Sequence, residues 1–194
     1  MFWVGKAWRQ GNALSAVAGG PLMPLLDIIT APHPILELRA RTVEEDEFGP
    51  ELEQLIRDMA ETMYAAPGVG LAAPQVSDSR RILVVDSGKK PDLGLRFFGM
   101  VNPEIVERSK ETIPWYETCL SVPELEVKVT RNLRIKVVWQ NGDGSHAEGW
   151  FEEYESVIVQ HEIDHLLGTV ILDRASRFKR SRYLRSRKKT KVMA

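Results

Sequence analysis

The sequence predicts an α+β fold, with antiparallel or mixed sheets packed around a central helix and a basic helix closing the chain. Three observations lead there. Two stretches, around residues 48–63 and 152–167, space their apolar residues as one face of a helix. The residues between them read as short strands joined by turns. The order is helix, strands, helix, without the regular strand–helix alternation of a doubly wound parallel sheet.

Each element has its own signature. Pro32 and Pro34 bracket His33 in a stiff, extended segment, where that histidine is expected to be structural or exposed. Phe48, Leu52, Leu55, Ile56, Met59 and Met63 follow helical spacing. Glu44 to Glu47 stand before or in the first turn, where negative charge suits the helix dipole, and Pro67-Gly68 stops the helix. Arg81 to Asp86 reads as a buried strand, and Phe97 to Val101 as a second one ended by Asn102-Pro103. Leu133, Ile135, Val137 and Trp139 alternate with polar residues. Asn141-Gly142-Asp143-Gly144 is a strong turn, Ala147 to Phe151 returns as the partner strand, and His146 beside the turn is expected to be exposed. Glu152 to Leu167 is the central helix, with Gly168 as its stop. A basic helix from Ser176 to about Lys189 ends the pattern.

Length and composition fit one globular domain with tails: 194 residues, 43% hydrophobic and 27% charged. No apolar run approaches the roughly 20 residues of a membrane span. A single cysteine, Cys119, excludes an intrachain disulfide, fits a reducing compartment and leaves one thiol for chemistry. The net charge of −1 conceals an uneven distribution. From Arg174 onward there are ten Lys/Arg and no acid, which leaves 16 basic against 27 acidic side chains on the rest. Such a tail reads as a solvated helix or as a contact with RNA or an anionic surface. Residues 1–24 form a poorly patterned, acid-free extension, without a secretory signal's apolar core and with less Arg and Ser than an organellar presequence carries. Met23 is a plausible alternative start. The expected parts are therefore the extension (1–24), a catalytic body (25–175) and the basic tail (176–194), in a cytoplasmic setting.

The sharpest chemical feature is His161-Glu162-Ile163-Asp164-His165. Residues four apart share a helix face, so both imidazoles can reach one metal ion. Glu162 lies between them, placed to take a proton from a water that the metal acidifies and to return it. Val157, Ile158, Val159, Leu166 and Leu167 flank the motif, so the helix is expected to be largely buried. Histidines and acids there need partners. A catalytic site typically has three protein ligands. No Glu follows Glu162, and the position six past His165 is Ile171, so the third ligand of thermolysin-like and metzincin proteases is missing. The third ligand comes from upstream, or is Asp173, which is badly spaced. Cys119 in Glu117-Thr118-Cys119-Leu120-Ser121 is the upstream candidate. A thiolate with two imidazoles suits Zn(II), Fe(II), Co(II) or Ni(II). Gly68-Val69-Gly70-Leu71-Ala72-Ala73-Pro74-Gln75 is a third feature: its small residues permit close backbone approach, and it follows a helix, unlike a dinucleotide fingerprint.

In this order and spacing the three segments resemble the signature motifs of the peptide deformylase family, a resemblance that runs from about Leu25 to Lys189. It implies that Cys119, His161 and His165 bind one divalent metal, natively Fe(II), with Zn(II), Ni(II) or Co(II) possible. It makes Glu162 the acid/base and assigns the oxyanion to Gln75 and the backbone N–H of Leu120. It places Val69, Gly70, Leu71, Glu117, Thr118, Tyr154, Val157 and Ile158 around the substrate, with Val69, Tyr154, Val157 and Ile158 lining a methionine pocket. Arg131 matches a ligand-orienting position, and Glu117 also fits that role. The implied reaction is hydrolysis of N-formyl-methionyl nascent peptides to formate and a free N-terminus, with a possible ribosome contact through the basic tail and no membrane. The sequence departs at Thr118, where the family has glycine, and at Glu126, where many relatives carry a basic or small residue.

Two other readings stay open. One is a related amide hydrolase with another acyl substrate, for which Thr118 is the discriminating feature. The other is a catalytically silent homologue that binds ribosomes or peptides, against which Glu162 counts because that acid is not needed to hold the fold. A pure RNA-binding module fits least, since the basic residues lie at one end and no aromatic platform is evident.

Overall fold

The computed structural model describes residues 25–86 and 97–192, with side chains through 187. The expectations for residues 1–24 fall outside these. Helix α1 spans Pro50–Ala65. Strands β1 (Gly70–Ala72) and β2 (Ile82–Val85) follow it. Then come β3 (Phe98–Arg108), β4 (Thr112–Cys119), β5 (Val122–Asn132), β6 (Arg134–Gln140) and β7 (His146–Glu152). Helices α2 (Glu153–Leu166) and α3 (Arg177–Val192) complete the described chain. One sheet has the order β1-β2-β3-β6-β7, and β4 and β5 form a separate two-stranded sheet. All pairings between these strands are antiparallel, in line with the predicted α+β class.

The five-stranded sheet is covered on both faces. On β2, Ile82 and Val84 pack with Leu52, Ile56, Met59 and Met63 of α1. Leu83 and Val85 point the other way, to Ile158, Val159, Ile163 and Leu166 of α2. A strand buried on both sides must be apolar at every position, which explains the unbroken Ile-Leu-Val-Val run. A third cluster joins Val122, Val127 and Val129 of β5 to Ile171, Leu172 and Tyr183, and so seats α3 on the two-stranded sheet.

Several boundaries differ from the sequence reading. Glu45–Glu47 form a separate 3-10 turn, and α1 begins at Pro50 after Gly49, whose φ of 131° breaks the path. The second strand does not end at Asn102-Pro103 but runs to Arg108. Asn102 takes a positive φ of 51° at a register shift, and its side-chain amide bonds both backbone groups of Val43 at 2.9 Å. The chain is bulged there rather than terminated. The β4–β5 hairpin was not anticipated from periodicity. His33 and His146 are exposed, as expected.

Helix α2 lies at the centre because its flanking residues are apolar on nearly every side. Gln160 pins it to the end of β5: its Nε2 donates to Asn132 O at 2.9 Å, and its Oε1 accepts from Asn132 N–H at 3.2 Å. Gly168, with φ 74°, ends it, and Thr169 N–H returns to Asp164 O.

Candidate functional site

Three segments distant in sequence meet beside α2. His161 and His165 project from one face of the helix, their ring centroids 5.1 Å apart. The end of β4 brings Cys119 Sγ to 3.2 Å from His165 Nε2. The ligand atoms of Cys119, His161 and His165 all lie within 4.8 Å of one another, and all three residues are buried. Asp173 is not in this group; it bonds Val170 N–H and pairs with Arg180. The donor set is one thiol and two imidazoles, the chemistry that a borderline-soft divalent ion prefers. Glu162 is 4% exposed, and its Oε2 has no hydrogen-bond partner among the described residues. These residues fit a divalent metal with an adjacent proton acceptor.

A row of alternating charges stands behind the histidines. His161 Nδ1 lies 2.7 Å from Glu117 Oε2. Arg131 grips both oxygens of Glu117, at 2.7 and 2.8 Å, and reaches Asp164 at 2.6 Å. Arg174 takes both oxygens of Asp164 at 2.8 and 2.7 Å. A carboxylate on the outer ring nitrogen fixes the tautomer and turns Nε2 toward the ligand set. Glu117 was also expected against the substrate. It is instead buried and fully engaged by Arg131 and His161, because alternation along β4 turns it inward with Cys119.

The same contacts set the protonation pattern. Burial pushes Glu117 up, but the hydrogen bonds from Arg131 and His161 win and hold it at about 2. Burial pushes the Glu162 carboxyl up to about 7; the Glu117 charge adds to this, while His161 and Arg131 oppose it. Burial lowers His161, yet hydrogen bonds to Cys119 and Glu117 outweigh it and raise the ring well above its ordinary value. Burial and the neighbouring positive His161 and Arg131 drive His165 well below. A carboxyl near neutrality beside a metal-type donor set suits a group that must take and release one proton.

The glycine-rich segment forms the opposite wall. It becomes β1 and a 3-10 turn over Ala73–Val76. Gln75 is fully buried: its Oε1 accepts from Ala72 N–H at 2.7 Å, and its Nε2 faces Ser121 Oγ at 3.2 Å and Cys119 Sγ at 3.7 Å. An added Cβ at Gly70 would overlap the Glu162 carboxylate, so glycine is what lets β1 close on the helix. Leu71 points into the α1-side core, which leaves only its backbone for a ligand. Val69 is exposed, as is Thr118. Leu120 is half-buried beside Gly68, whose added Cβ would lie 2.9 Å from its Cδ1.

Of the expected methionine-pocket residues, Ile158 and Val157 are buried and Tyr154 is half-buried, all on α2. A shallow crevice next to Ile158 is lined by Val85, Phe98, Phe151 and Glu155 as well; Val69, Val157 and Tyr154 do not line it. The sequence reading missed Ser121, whose hydroxyl faces the Gln75 amide, and the bridging part of Asp164.

The whole chain bears comparison with known proteins. Residues 25–181 match the family described as Polypeptide deformylase. The chain is 44% identical over 167 residues to a peptide deformylase of Desulfotalea psychrophila, covering 86% of this chain and 97% of the relative. It is 46% identical over 147 residues to that of Thermotoga petrophila, covering 76% and 85%. Among solved structures, the peptide deformylase of Ehrlichia chaffeensis superposes with a TM-score of 0.78 at 35% identity, over 88% of this chain and 98% of that one. The Met-Ala-Ser-bound class I type b enzyme of Acinetobacter baumannii gives 0.73 at 34%, over 79% and 100%. Sequence match, fold and inward-turned donor set agree: this chain belongs to the polypeptide deformylase family.

Proposed function

We propose that the chain removes the formyl group from N-formyl-methionyl peptides, giving formate and a free amino terminus. The observation that carries this is the buried Glu162, one oxygen unpartnered, beside the converging Cys119, His161 and His165. Cys119, His161 and His165 would hold the ion, Fe(II) natively with Zn(II), Ni(II) or Co(II) as substitutes, and it would supply Lewis-acid polarisation and a water of lowered pKa. Glu162 takes the proton of the attacking water and hands it to the departing nitrogen as the C–N bond breaks. Gln75 and the Leu120 N–H face the oxygen on which charge develops. The exposed Val69 and Thr118 border the peptide, and the backbone of Gly70 and Leu71 offers it hydrogen bonds. Tyr154, Val157 and Ile158 receive the methionine side chain. Glu117 and Arg131 act behind the ligands by fixing His161.

The single thiol and the soft donor set favour a reducing, cytoplasmic setting. Among the described residues no helix is long and apolar enough to cross a membrane. The basic α3 is suited to dock on the ribosome, where nascent chains emerge.

The direct test is formate release from N-formyl-Met-Ala-Ser by protein loaded with Fe(II) or Ni(II). Release is expected, with loss of at least a hundred-fold (roughly, for a general acid–base group) in Glu162→Ala. No release by folded, metal-replete protein rejects the reading and points to a different acyl group.

A further inference from the structure

The charge row behind His161 is built from two rigid forks. Arg131 meets Glu117 through parallel bonds, Nε to Oε1 at 2.7 Å and Nη2 to Oε2 at 2.8 Å. Arg174 meets Asp164 in the same manner, Nε to Oδ2 at 2.8 Å and Nη2 to Oδ1 at 2.7 Å. A single bond joins the forks, from Arg131 Nη1 to Asp164 Oδ2 at 2.6 Å. A guanidinium is planar, so anchoring it at both ends fixes its plane. One end of Arg131 is held by Glu117, and the other is only as steady as Asp164.

Arg174 decides how steady Asp164 is. Among the described side chains, Arg174 alone bonds Asp164 Oδ1, and it shares Oδ2 with Arg131. Without that fork, Asp164 keeps one bond through one oxygen and can turn about it, and Arg131 turns with it. Arg174 is itself well seated. It ends the 3-10 turn Ile171–Arg174, whose Ile171 and Leu172 pack in one buried cluster with Val127 and Val129 of β5. Exposure rises outward along the row: the side chains of Glu117, Arg131, Asp164 and Arg174 are 3, 4, 16 and 38% exposed. The inner end is Glu117 Oε2, 2.7 Å from His161 Nδ1. A residue at the surface thus steadies, through two buried neighbours and Glu117, a ring of the donor set.

We infer that Arg174 is a positioning residue for the metal set: its fork on Asp164 holds Arg131, Arg131 holds Glu117, and Glu117 sets the tautomer and direction of His161. The inference rests on the metal reading of Cys119, His161 and His165. Competition with a chromophoric chelator measures Co(II) affinity, and the visible band of bound Co(II) reports the geometry of its ligands. Arg174→Leu is expected to weaken Co(II) binding by about ten-fold, the lower end for groups that orient a metal-binding histidine, and to shift the band. Arg174→Lys keeps the charge without the fork, and is expected to show a smaller loss of the same kind. Asp164→Asn combined with Arg174→Leu is expected to cost less than the two single changes summed, since both act through one contact. Arg180→Leu is the control for a loosened helix root: it removes the ion pair from α3 to Asp173 and leaves the row intact, so affinity and band are expected to stay as in the wild type. Folded Arg174→Leu protein with wild-type affinity and an unmoved band overturns the inference. So does an equal loss in Arg180→Leu, which would trace the effect to the seating of α3, or full additivity in the double variant. Wild-type protein that takes up no Co(II) is a separate result: it removes the metal reading, and the role of Arg174 with it.

Discussion

At position 70 the space left for a side chain is already filled by the carboxylate of Glu162. Glycine is needed there for clearance rather than for an unusual φ. Gly70→Ala is expected to push Glu162 out of line and lower kcat by ten-fold or more, while costing about 1–3 kcal/mol of stability, as overpacking does. Steady-state kinetics and a thermal melt separate the two effects; an unchanged kcat would contradict the placement of Glu162. Glu117 makes a different prediction. Its folded-state value of about 2 lies below the ordinary 4.5, so it stabilises the fold above pH 4.5. That contribution disappears as the pH falls from 4.5 toward 2. It amounts to at most about 3 kcal/mol. Denaturant unfolding at stepped pH should show stability falling through this window. Glu117→Gln should be less stable at pH 7 and show a shallower slope. A variant as stable as the wild type at neutral pH would count against the Arg131–Glu117 pair as a stabilising contact.

Among elements, those that obey a single rule were legible. Helices α1 and α2 and strand β6 follow plain apolar periodicities, β2 is an unbroken apolar run, and the turn at 141–144 supplied β7 and the register of the last hairpin. Strand β4 was hidden for a physical reason: its inward alternates include Glu117 and Cys119, so the residues that serve the site break the apolar pattern that would reveal the strand. Strand β1, at three residues, is too short for any period. The continuation of β3 past Pro103 depends on Asn102 binding Val43, 59 positions away, which no local rule contains. The metal set itself was readable from the four-residue spacing and the need for a third ligand. The charge row from His161 to Arg174 was readable only in part, because it closes through contacts far apart in the chain. Gly168 gives the prediction at this scale. Its φ is 74°, and an added Cβ would lie 2.7 Å from Glu37 O. Gly168→Ala should combine backbone strain with a clash and lower stability by roughly 1–3 kcal/mol. A calorimetric melting temperature indistinguishable from the wild type would show that the helix end relaxes freely.

Across the whole molecule, charge is segregated. The ten basic residues after Asp173 face no acid of their own segment, and the body before them is strongly acidic. Arg180 to Asp173, Lys179 to Glu126 O and the buried Tyr183 are among the contacts that tie α3 down. Phe178 is left 71% exposed among cations. Charge reversal at Arg177, Arg182 and Arg185 is expected to weaken ribosome co-sedimentation at low salt and flatten its salt dependence, with formate release from a short peptide unaltered. Unchanged sedimentation would remove α3 from the binding surface.

The Cys119–His165 contact spans 46 positions of sequence and joins the two-stranded sheet to the central helix. An ion gripping both residues is thus also a cross-link, closing a long loop that the unfolded chain would otherwise leave free. By the loop-entropy argument for covalent bridges, a closure of this length is worth about 4 kcal/mol. Loading the metal and stabilising the fold become one event, and the melting temperature becomes a gauge of how much of the protein is charged with its ion.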